Sequence, residues 1–413
     1  MINRIIIETP ILKKYKILYH YTVEGMWKNA FKKNSVEIEY SIDISTIPLG
    51  IAVVPFLANV LPMAWIYDAE IVAPICDKTF YDSILEFKKG YQNMYPMLTL
   101  KGQLLVNKLE ENQADKGMRS GAFFSGGVDA FNTLVCHAKE KPVLMTLWGA
   151  DVKLDDTKGW KNVLTHLRET SEQFGVEYVT IKSEFRMFQD ENVLTEAVKR
   201  SGDGWWHGFQ HGIGIICHAA PVTWVLGISN VYFASSFTAA DKGKITCASD
   251  PTIDNFVRFC GTEIVHDGYE FTRQMKVYNI TQFVKKTGIK VPLRVCWEST
   301  GGSNCCNCEK CWRTMLAVYA ENQDPHDYGF DYTDKQLSII AKKMRYGENK
   351  MFGALRYEPI QKEMRKNCKK QELPKQIQWF YDADINCLGQ APLWRKAVRK
   401  MKCGMKKIWR KIK

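Results

Sequence analysis

Five cysteines lie within residues 296–311, whose sequence is CWESTGGSNCCNCEKC. Three of them form a Cys-x2-Cys-x2-Cys run. A fourth, Cys296, lies upstream of this run with eight residues between them, and the chain can fold back to bring it to the other three. Four thiolates suit tetrahedral zinc, whereas a ferredoxin-type iron–sulfur run would continue to a cysteine where this chain has Met315. We therefore predict a structural Zn²⁺ site, with an iron–sulfur cluster as the alternative, at Cys296, Cys305, Cys308 and Cys311. Cys306 is expected not to be a ligand, because it lies too close to Cys308.

A second stretch with the residue types of a binding site is FSGGVDAF, at residues 124–131. Gly126 and Gly127 follow a short apolar strand, so the backbone can turn tightly and direct its amides outward, and the helix that follows adds its positive end. The Ser125 hydroxyl can donate to a phosphate oxygen, and Asp129 is placed to hold Mg²⁺ or to orient a bound group. The stretch therefore predicts an anion site of the size of pyrophosphate, although two glycines alone could equally form an ordinary strand-to-helix turn.

The same stretch resembles the Ser-Gly-Gly-x-Asp-Ser loop of the PP-loop ATP pyrophosphatases. This resemblance implies a protein that binds ATP and Mg²⁺, splits ATP to AMP and pyrophosphate, and adenylates a carboxylate, amide or carbonyl oxygen. It assigns the nucleotide to Ser125, Gly126, Gly127, Val128 and Asp129, and catalysis to Ser125 and Asp129. The last serine of the pattern is Ala130 here, which removes one hydroxyl beside the phosphates. A nucleotide sensor without turnover is therefore an alternative.

The cysteine run comes about 170 residues after the loop, with Gly301-Gly302 inside its long gap. This order is similar to that of the 7-cyano-7-deazaguanine synthase, or QueC-like, branch of the same family. Enzymes of that branch use ATP to convert a 7-carboxy-7-deazaguanine to an amide and then a nitrile with ammonia. The resemblance covers about residues 120–320, and relatives of similar length are uncharacterised proteins, so the deazapurine substrate does not follow from it. It therefore implies a ligase or synthase for a small-molecule or modified-base substrate, without naming the acceptor.

The segment between the last expected strand and the cysteines contains further polar candidates. Arg273 opens a helix after Thr272, so it could neutralise phosphate charge, and we predict it as a catalytic residue; Lys276 is assigned to nucleotide binding. A solvated helix start is the alternative for both. In the stretch GWWHGFQHG, the side chains of Trp205, Trp206, His207 and His211 could form an aromatic and imidazole wall for a planar substrate. The alternative is ordinary packing within the protein with exposed side-chain tips. His218, on an apolar helix, is expected to be a core residue. No cysteine outside the cluster is placed convincingly as a sulfur carrier.

The elements that must position these residues alternate as strand, turn and helix from residue 121 onward. Short apolar strands such as GAFFS, PVLMTLWG, VEYVTIKS and VYFASSF are separated by helical segments such as GWKNVLTHLRETSEQFG. This alternation predicts an α/β fold with a parallel sheet between two layers of helices, in which ligands bind at the carboxyl ends of the strands. The resemblance implies the PP-loop (HUP-like, adenine nucleotide alpha hydrolase-like) version of that fold.

Composition suggests four segments along the chain of 413 residues. We predict an N-terminal α+β accessory domain at 1–115, a PP-loop domain at 116–292, a zinc motif at 293–325 and a helical C-terminal segment at 326–413. Thirteen cysteines, eight of them scattered singly, favour a reducing, cytoplasmic compartment. The uncharged stretch at 47–67 is long enough to span a bilayer, but its three prolines favour a buried globular segment.

The net charge of +12 comes mostly from the last nineteen residues, which carry ten basic side chains and no acidic one; the rest of the chain is therefore only +2. An apolar stripe with helical spacing runs through the same segment, at Trp394, Val398, Met401, Met405, Ile408 and Ile412. A basic amphipathic helix at 394–413 could bind an anionic membrane surface, dock on the protein itself or bind nucleic acid. A zinc-containing nucleic-acid-binding protein is therefore a further alternative function, and a homodimer is left open.

Overall fold

The computed structural model describes residues 2–113, 117–296, 298, 302–347 and 354–388. The chain divides into two compact units, Met1–Phe271 and Thr272–Lys413. This division differs from the boundaries expected after residues 115, 292 and 325. The basic segment at 394–413 and Gly301 lie outside the described residues, so the membrane, nucleic-acid and docking interpretations of that segment stay predictions.

The described part of the first unit forms one sheet of twelve strands. Many of its strands alternate buried and partly exposed side chains, as a sheet with different surroundings on its two faces requires. The strands are β1 (Arg4–Ile7), β2 (Ile11–Lys13), β3 (Lys16–Glu24), β4 (Ser35–Tyr40), β5 (Glu70–Asp77), β6 (Gln103–Glu110), β7 (Arg119–Phe123), β8 (Val143–Trp148), β9 (Tyr178–Ser183), β10 (Ile228–Ala234), β11 (Arg258–Phe259) and β12 (Thr262–Asp267).

The strand order is β11-β12-β10-β7-β8-β9-β4-β3-β1-β5-β6, with β2 paired to β3. Strands β12, β10, β7, β8 and β9 pair in parallel, as expected for the α/β part of the chain. From β7 the chain moves outward through β8 and β9, then returns to place β10 on the other side of β7. The two strands β7 and β10 therefore flank the point at which the strand order reverses.

Strands from the N-terminal segment extend this sheet. Strand β4 pairs antiparallel with β9, with Ile38 opposite Ser183 and Tyr40 opposite Ile181. One continuous hydrophobic core includes Ile5 and Trp27 as well as Ile264. Residues 2–113 and 117–271 thus share one sheet and one core, where the sequence suggested an accessory domain followed by a PP-loop domain.

The helices lie between and after the strands. Their ends follow local signals: α5, for example, begins where Asp156 accepts the amide of Gly159 at 2.8 Å and ends at Gly175, whose φ is 61°. The first unit contains α1 (Leu49–Ala52), α2 (Val54–Tyr67), α3 (Lys78–Met94), α4 (Val128–Cys136), α5 (Thr157–Phe174), α6 (Glu191–Ala197), α7 (Ile213–Ile216), α8 (Ala220–Leu226) and α9 (Pro251–Asp254). The second contains α10 (Arg273–Thr287), α11 (Glu309–Ala320), α12 (Asp334–Arg345), α13 (Ala354–Asn367) and α14 (Gln378–Asp382).

The uncharged stretch at 47–67 folds into α1 and α2 and is almost wholly buried inside the first unit. Its one strongly polar side chain, Asn59, donates to the carbonyl oxygens of Pro55 and Gly214 at 2.9 and 3.3 Å. None of the described helices has both the length and the apolar character needed to cross a bilayer. The expectation of a buried globular segment is thereby supported.

Candidate functional site

The glycine-containing loop joins the end of β7 to the start of α4. Two hydrogen bonds hold its first residue to the neighbouring strand: the Phe124 amide donates to the Met145 carbonyl at 2.8 Å, and the Thr146 hydroxyl donates to the Phe124 carbonyl at 2.7 Å. Gly126 has a φ of 76°, which side-chain-bearing residues rarely adopt, and Gly127 is the N-cap of α4. The predicted strand, turn and helix are therefore all present, with the turn directed into the N-terminus of a nine-residue helix.

The side chains of this loop are placed differently from one another. Ser125 is exposed, and its hydroxyl oxygen accepts the Gly127 amide at 3.4 Å. Asp129 lies in the first turn of α4 and is partly exposed, while Ala130 is buried. The loop thus presents one hydroxyl and one carboxylate beside the positive end of a helix, which is a suitable arrangement for a phosphate and a divalent cation.

The loop also lies at the position in the sheet where α/β proteins bind ligands. The loop follows β7, and the strand order reverses between β7 and its neighbour β10. These two strands end side by side, with the rings of Phe123 and Phe233 5.5 Å apart. Ligands of such sheets bind outside the carboxyl ends of the strands at this reversal. The chain topology therefore adds a second reason, independent of the glycines, to place a ligand at residues 124–129.

The stretch with two tryptophans divides into a packing residue and a partly exposed surface. Trp205 is fully buried and stacks on Phe209, so it belongs to the core. Trp206 is partly exposed, with the Arg186 guanidinium 4.0 Å from its ring centre and the His211 ring edge-on at 5.1 Å. Of the aromatic and imidazole wall expected from the sequence, Trp206 and His211 are in contact, and Arg186 is a member that the sequence reasoning missed.

His207 and His211 both meet a cysteine that sequence reasoning left unassigned. Their side chains interact with the thiol of Cys247, which lies in the loop between β10 and α9. The i, i+4 spacing of the two histidines was the only sequence signal for this group of side chains. Nothing local indicated Cys247, because it is separated from His207 by forty positions.

The acidic and histidine residues after β10 are engaged in local networks. Asp254 accepts the Ser249 hydroxyl and pairs with His266 Nδ1, both at 2.8 Å and both buried. Asp250 caps α9 through the Thr252 amide. Asp267 accepts the Thr133 hydroxyl at 2.5 Å and lies 3.0 Å from His137 Nε2. These contacts fix the loops around the carboxyl edge of the sheet.

His218 is fully buried, with Nε2 2.8 Å from the Ser183 hydroxyl, as a core residue would be. Burial lowers its pKa to about 4. Since the unfolded chain takes up this proton near pH 6.5 and the folded chain only near pH 4, stability is lost as the pH falls through that window, by at most ~3 kcal/mol. We expect His218→Gln to reduce the fall in Tm between pH 7.5 and 4.5. An unchanged fall would contradict this role.

The predicted zinc ligands come together in the second unit. The Sγ atoms of the four cysteines all lie within 4.8 Å of one another, and Cys308 begins α11 by accepting the Cys311 amide at 3.5 Å. Cys296 Sγ is 3.9 Å from Cys308 Sγ. A set of four thiols at the start of a helix could hold a metal ion such as zinc. Among the described residues, no other group of three or more such ligands was found.

The electrostatics of this cluster also suit a cation. Hydrogen bonding from Cys311 lowers the pKa of Cys308 to about 5, while burial raises the pKa of Cys305 to about 12 and the neighbouring Cys308 raises that of Cys311. Four thiols this close cannot all ionise without a positive charge between them, and a divalent ion supplies it. Cys306 lies outside the group: it is 3% exposed, its φ is 48°, and its Sγ lies 3.8 Å from the Asn304 carbonyl.

Arg273 and Lys276 also lie in the second unit, in the first turn of α10. Thr272 caps this helix by accepting the Met275 amide at 3.2 Å, as the sequence indicated. Arg273 Nη2 donates to the Thr314 hydroxyl at 3.3 Å, and Lys276 is 1% exposed. Their expected contacts with phosphate therefore stay predictions.

A cavity of about 520 Å³ lies elsewhere on the first unit, beside α3. Its lining mixes charges of both signs, including Lys78, Asp82, Glu86 and Arg258. Its lining includes none of the loop residues and none of Cys247, His207 and His211. The glycines, the helix N-terminus and the strand reversal therefore favour the carboxyl edge as the candidate site over this cavity.

Comparison with protein-family models gives no match for this chain, and comparison with curated protein sequences gives none either. The evidence for the α/β sheet and the four-cysteine group is therefore the structure itself. The resemblance to PP-loop enzymes rests on the short motifs alone and stays a prediction.

Proposed function

We propose that this protein is an ATP-dependent enzyme that adenylates a carboxylate or an amide and passes the activated group to a nitrogen nucleophile. The observation that carries the proposal is the loop at 124–129, which turns at Gly126 into the N-terminus of α4 where the strand order reverses. A short anion-binding loop at this position matches what the resemblance to the PP-loop family implies.

In the proposed reaction, the amides of Gly126 and Gly127 and the hydroxyl of Ser125 bind the pyrophosphate portion of ATP. They stabilise the charge that develops on it as the acceptor oxygen attacks the α-phosphorus. Asp129 holds the Mg²⁺ that neutralises the phosphates. Ala130, where the family pattern has a serine, is buried in the first turn of α4, and the proposal assigns no phosphate contact to it.

The zinc group is assigned a structural role. Four cysteines leave no open position for a substrate or water, which is the difference between a structural and a catalytic zinc site. It supports the functional proposal through its place in the sequence: the cysteines follow the glycine-containing loop along the chain, in an order that resembles that of the QueC-like branch. A 7-deazaguanine-type acid is therefore the first substrate to test.

The experiment is incubation of the purified full chain with Mg-ATP, ammonium and a panel of carboxylic acids that includes 7-carboxy-7-deazaguanine. Mass spectrometry would follow AMP, pyrophosphate and every new product. We expect AMP and pyrophosphate in equal amounts together with an amide or a nitrile. ATP binding without AMP formation on any acid would support a nucleotide sensor instead. Salt-sensitive binding of RNA or DNA without AMP formation would support the nucleic-acid-binding alternative.

A further inference from the structure

Cys247 lies in a polar environment that is unusual for a buried cysteine. Its side chain is 6% exposed, and both His207 and His211 interact with the thiol. The Ala248 amide donates to the His207 carbonyl at 2.8 Å, which ties the loop that carries Cys247 to the segment that carries the histidines. This backbone hydrogen bond holds the residue after Cys247 against the segment that carries the two imidazoles.

A carboxylate orients the first of these imidazoles. His207 Nδ1 lies 2.8 Å from Asp203 Oδ1. The other oxygen, Oδ2, accepts the Tyr95 hydroxyl at 2.8 Å and the Thr246 hydroxyl. Burial opposes ionisation of Asp203, but these hydrogen bonds outweigh it and lower its pKa. An ionised carboxylate, an imidazole and a thiol thus form a chain, as in enzymes that use an activated cysteine nucleophile.

The charges in this chain favour a thiolate. The hydrogen bond with Asp203 and, after it, the interaction with Cys247 raise the pKa of His207 to about 10. Burial would raise the pKa of Cys247, but His207 and His211 outweigh it and lower the pKa to about 7. The two imidazoles therefore favour the ionised form of the Cys247 thiol.

The group lies at the same edge of the sheet as the phosphate loop. The His211 ring is 6.2 Å from the ring of Phe233 at the end of β10, and Phe233 contacts Phe123 at the end of β7. Phe123 is followed directly by the loop residues. His207 keeps 45% of its side chain exposed, so this edge is open to solvent beside the buried thiol.

From this geometry we infer that Cys247 is a covalent nucleophile that accepts the acyl group from the adenylate and forms a thioester, with His207 and Asp203 as its activating pair. The inference deepens the proposed function and rests on it, because the acyl adenylate is the substrate of this step. Covalent capture divides acyl transfer to nitrogen into two easier steps.

The two steps balance as follows. The Cys247 thiolate attacks the acyl carbon, so a C–S bond forms and the C–O bond to AMP breaks, with the electron pair leaving on AMP. Ammonia then attacks the thioester carbon, and the C–S electron pair returns to sulfur as the thiolate beside the His207 imidazolium. One proton of ammonia is released to water, and the amide leaves. No oxidant or reductant is needed.

A first test does not depend on the acyl substrate. Limited alkylation of the full chain with iodoacetamide at pH 7, followed by peptide mass spectrometry, gives a rate for each cysteine. Cys136 is the internal comparison, because the residue is exposed but partial burial of its sulfur raises the pKa of the thiol to about 11. We expect Cys247 to react at least ~10-fold faster than Cys136 despite being buried, with a pH midpoint of about 7.

Two variants make this test specific. His207→Ala is expected to slow alkylation of Cys247 at least ~10-fold at pH 7, because it removes the positive partner of the thiolate. His326→Ala is the matched control: His326 forms the same kind of pair, with Asp324 at 2.7 Å, far along the chain in the second unit. If Cys247 reacts more slowly than Cys136, or if His207→Ala leaves its rate unchanged, the inference is overturned.

A second test examines the thioester itself. The protein is incubated with Mg-ATP and 7-carboxy-7-deazaguanine without ammonia, then digested and searched for an acyl adduct on Cys247 that neutral hydroxylamine removes. In Cys247→Ser we expect the ratio of amide formation to ATP–pyrophosphate exchange to fall at least ~100-fold. An unchanged ratio would refute the thioester step while leaving the adenylation in place. Absence of exchange in the unmodified chain with every acid of the panel would refute the proposed function, and this step with it.

Discussion

Replacing Cys311 by serine is expected to remove the bound metal and to destabilise the second unit severely. Cys311 is fully buried, its amide donates to Cys308 Sγ, and its own thiol belongs to the group of four. A structural zinc site of this kind contributes on the order of 10 kcal/mol of apparent binding free energy, which is comparable to the stability of a whole domain. Metal content per chain and the thermal unfolding of the full protein are the measurements.

Cys306→Ser is the matched control for this prediction. Cys306 is adjacent to the ligands in sequence and is buried to a similar degree, but its thiol lies outside the group. We expect this variant to keep one zinc per chain and to lose no more than ~1–3 kcal/mol from the buried hydroxyl. Loss of metal from Cys306→Ser as complete as from Cys311→Ser would contradict the ligand assignment. Iron in place of zinc in the purified protein would establish the iron–sulfur alternative.

Asp129→Asn is expected to reduce the formation of AMP and pyrophosphate at least ~100-fold while the protein remains folded. The amide keeps the size of the side chain at the start of α4 but removes the negative charge that is proposed to hold Mg²⁺. The measurement is pyrophosphate release from Mg-ATP with the acid that gives the highest turnover.

Asp327→Asn serves as the control for this loss, because Asp327 is an exposed aspartate in the second unit, also near the start of a short helical turn. It is expected to retain the turnover of the unmodified chain. If Asp129→Asn turns over ATP as fast as Asp327→Asn, the loop is not the site of the magnesium ion. A fall in Tm of Asp129→Asn by more than a few degrees would instead assign the carboxylate a structural role.

The expected elements around the loop are confirmed in the structure because their signals are local. The strand that includes the start of GAFFS, the turn at Gly126 and the helix from Val128 depend on apolar runs, on glycine and on helix capping. The same holds for α10, whose start at Thr272 follows from one side chain and one amide. The mostly parallel arrangement of β7 to β10 also followed from the alternation of strands and helices.

Local signals of this kind could not predict that the N-terminal segment contributes strands to the same sheet. Pairing of β4 with β9 joins residues more than 140 positions apart, and no feature of SVEIEY indicates which strand lies beside it. Strand pairing is decided by which apolar faces can share one core, and this depends on the whole chain at once. For the same reason the division into compact units falls at Phe271 and not near residue 115.

The sequence by itself determined the two short constellations of this protein, the loop Ser125–Asp129 and the four cysteines, because each occupies a short stretch of chain that local geometry can bring together. Only the tertiary structure decided that Cys247 meets His207 and His211, and that this group shares the edge of β7 and β10 with the loop. The physical reason is distance along the chain: these contacts form when the chain returns from β9 to β10, and the packing of the complete sheet fixes that return.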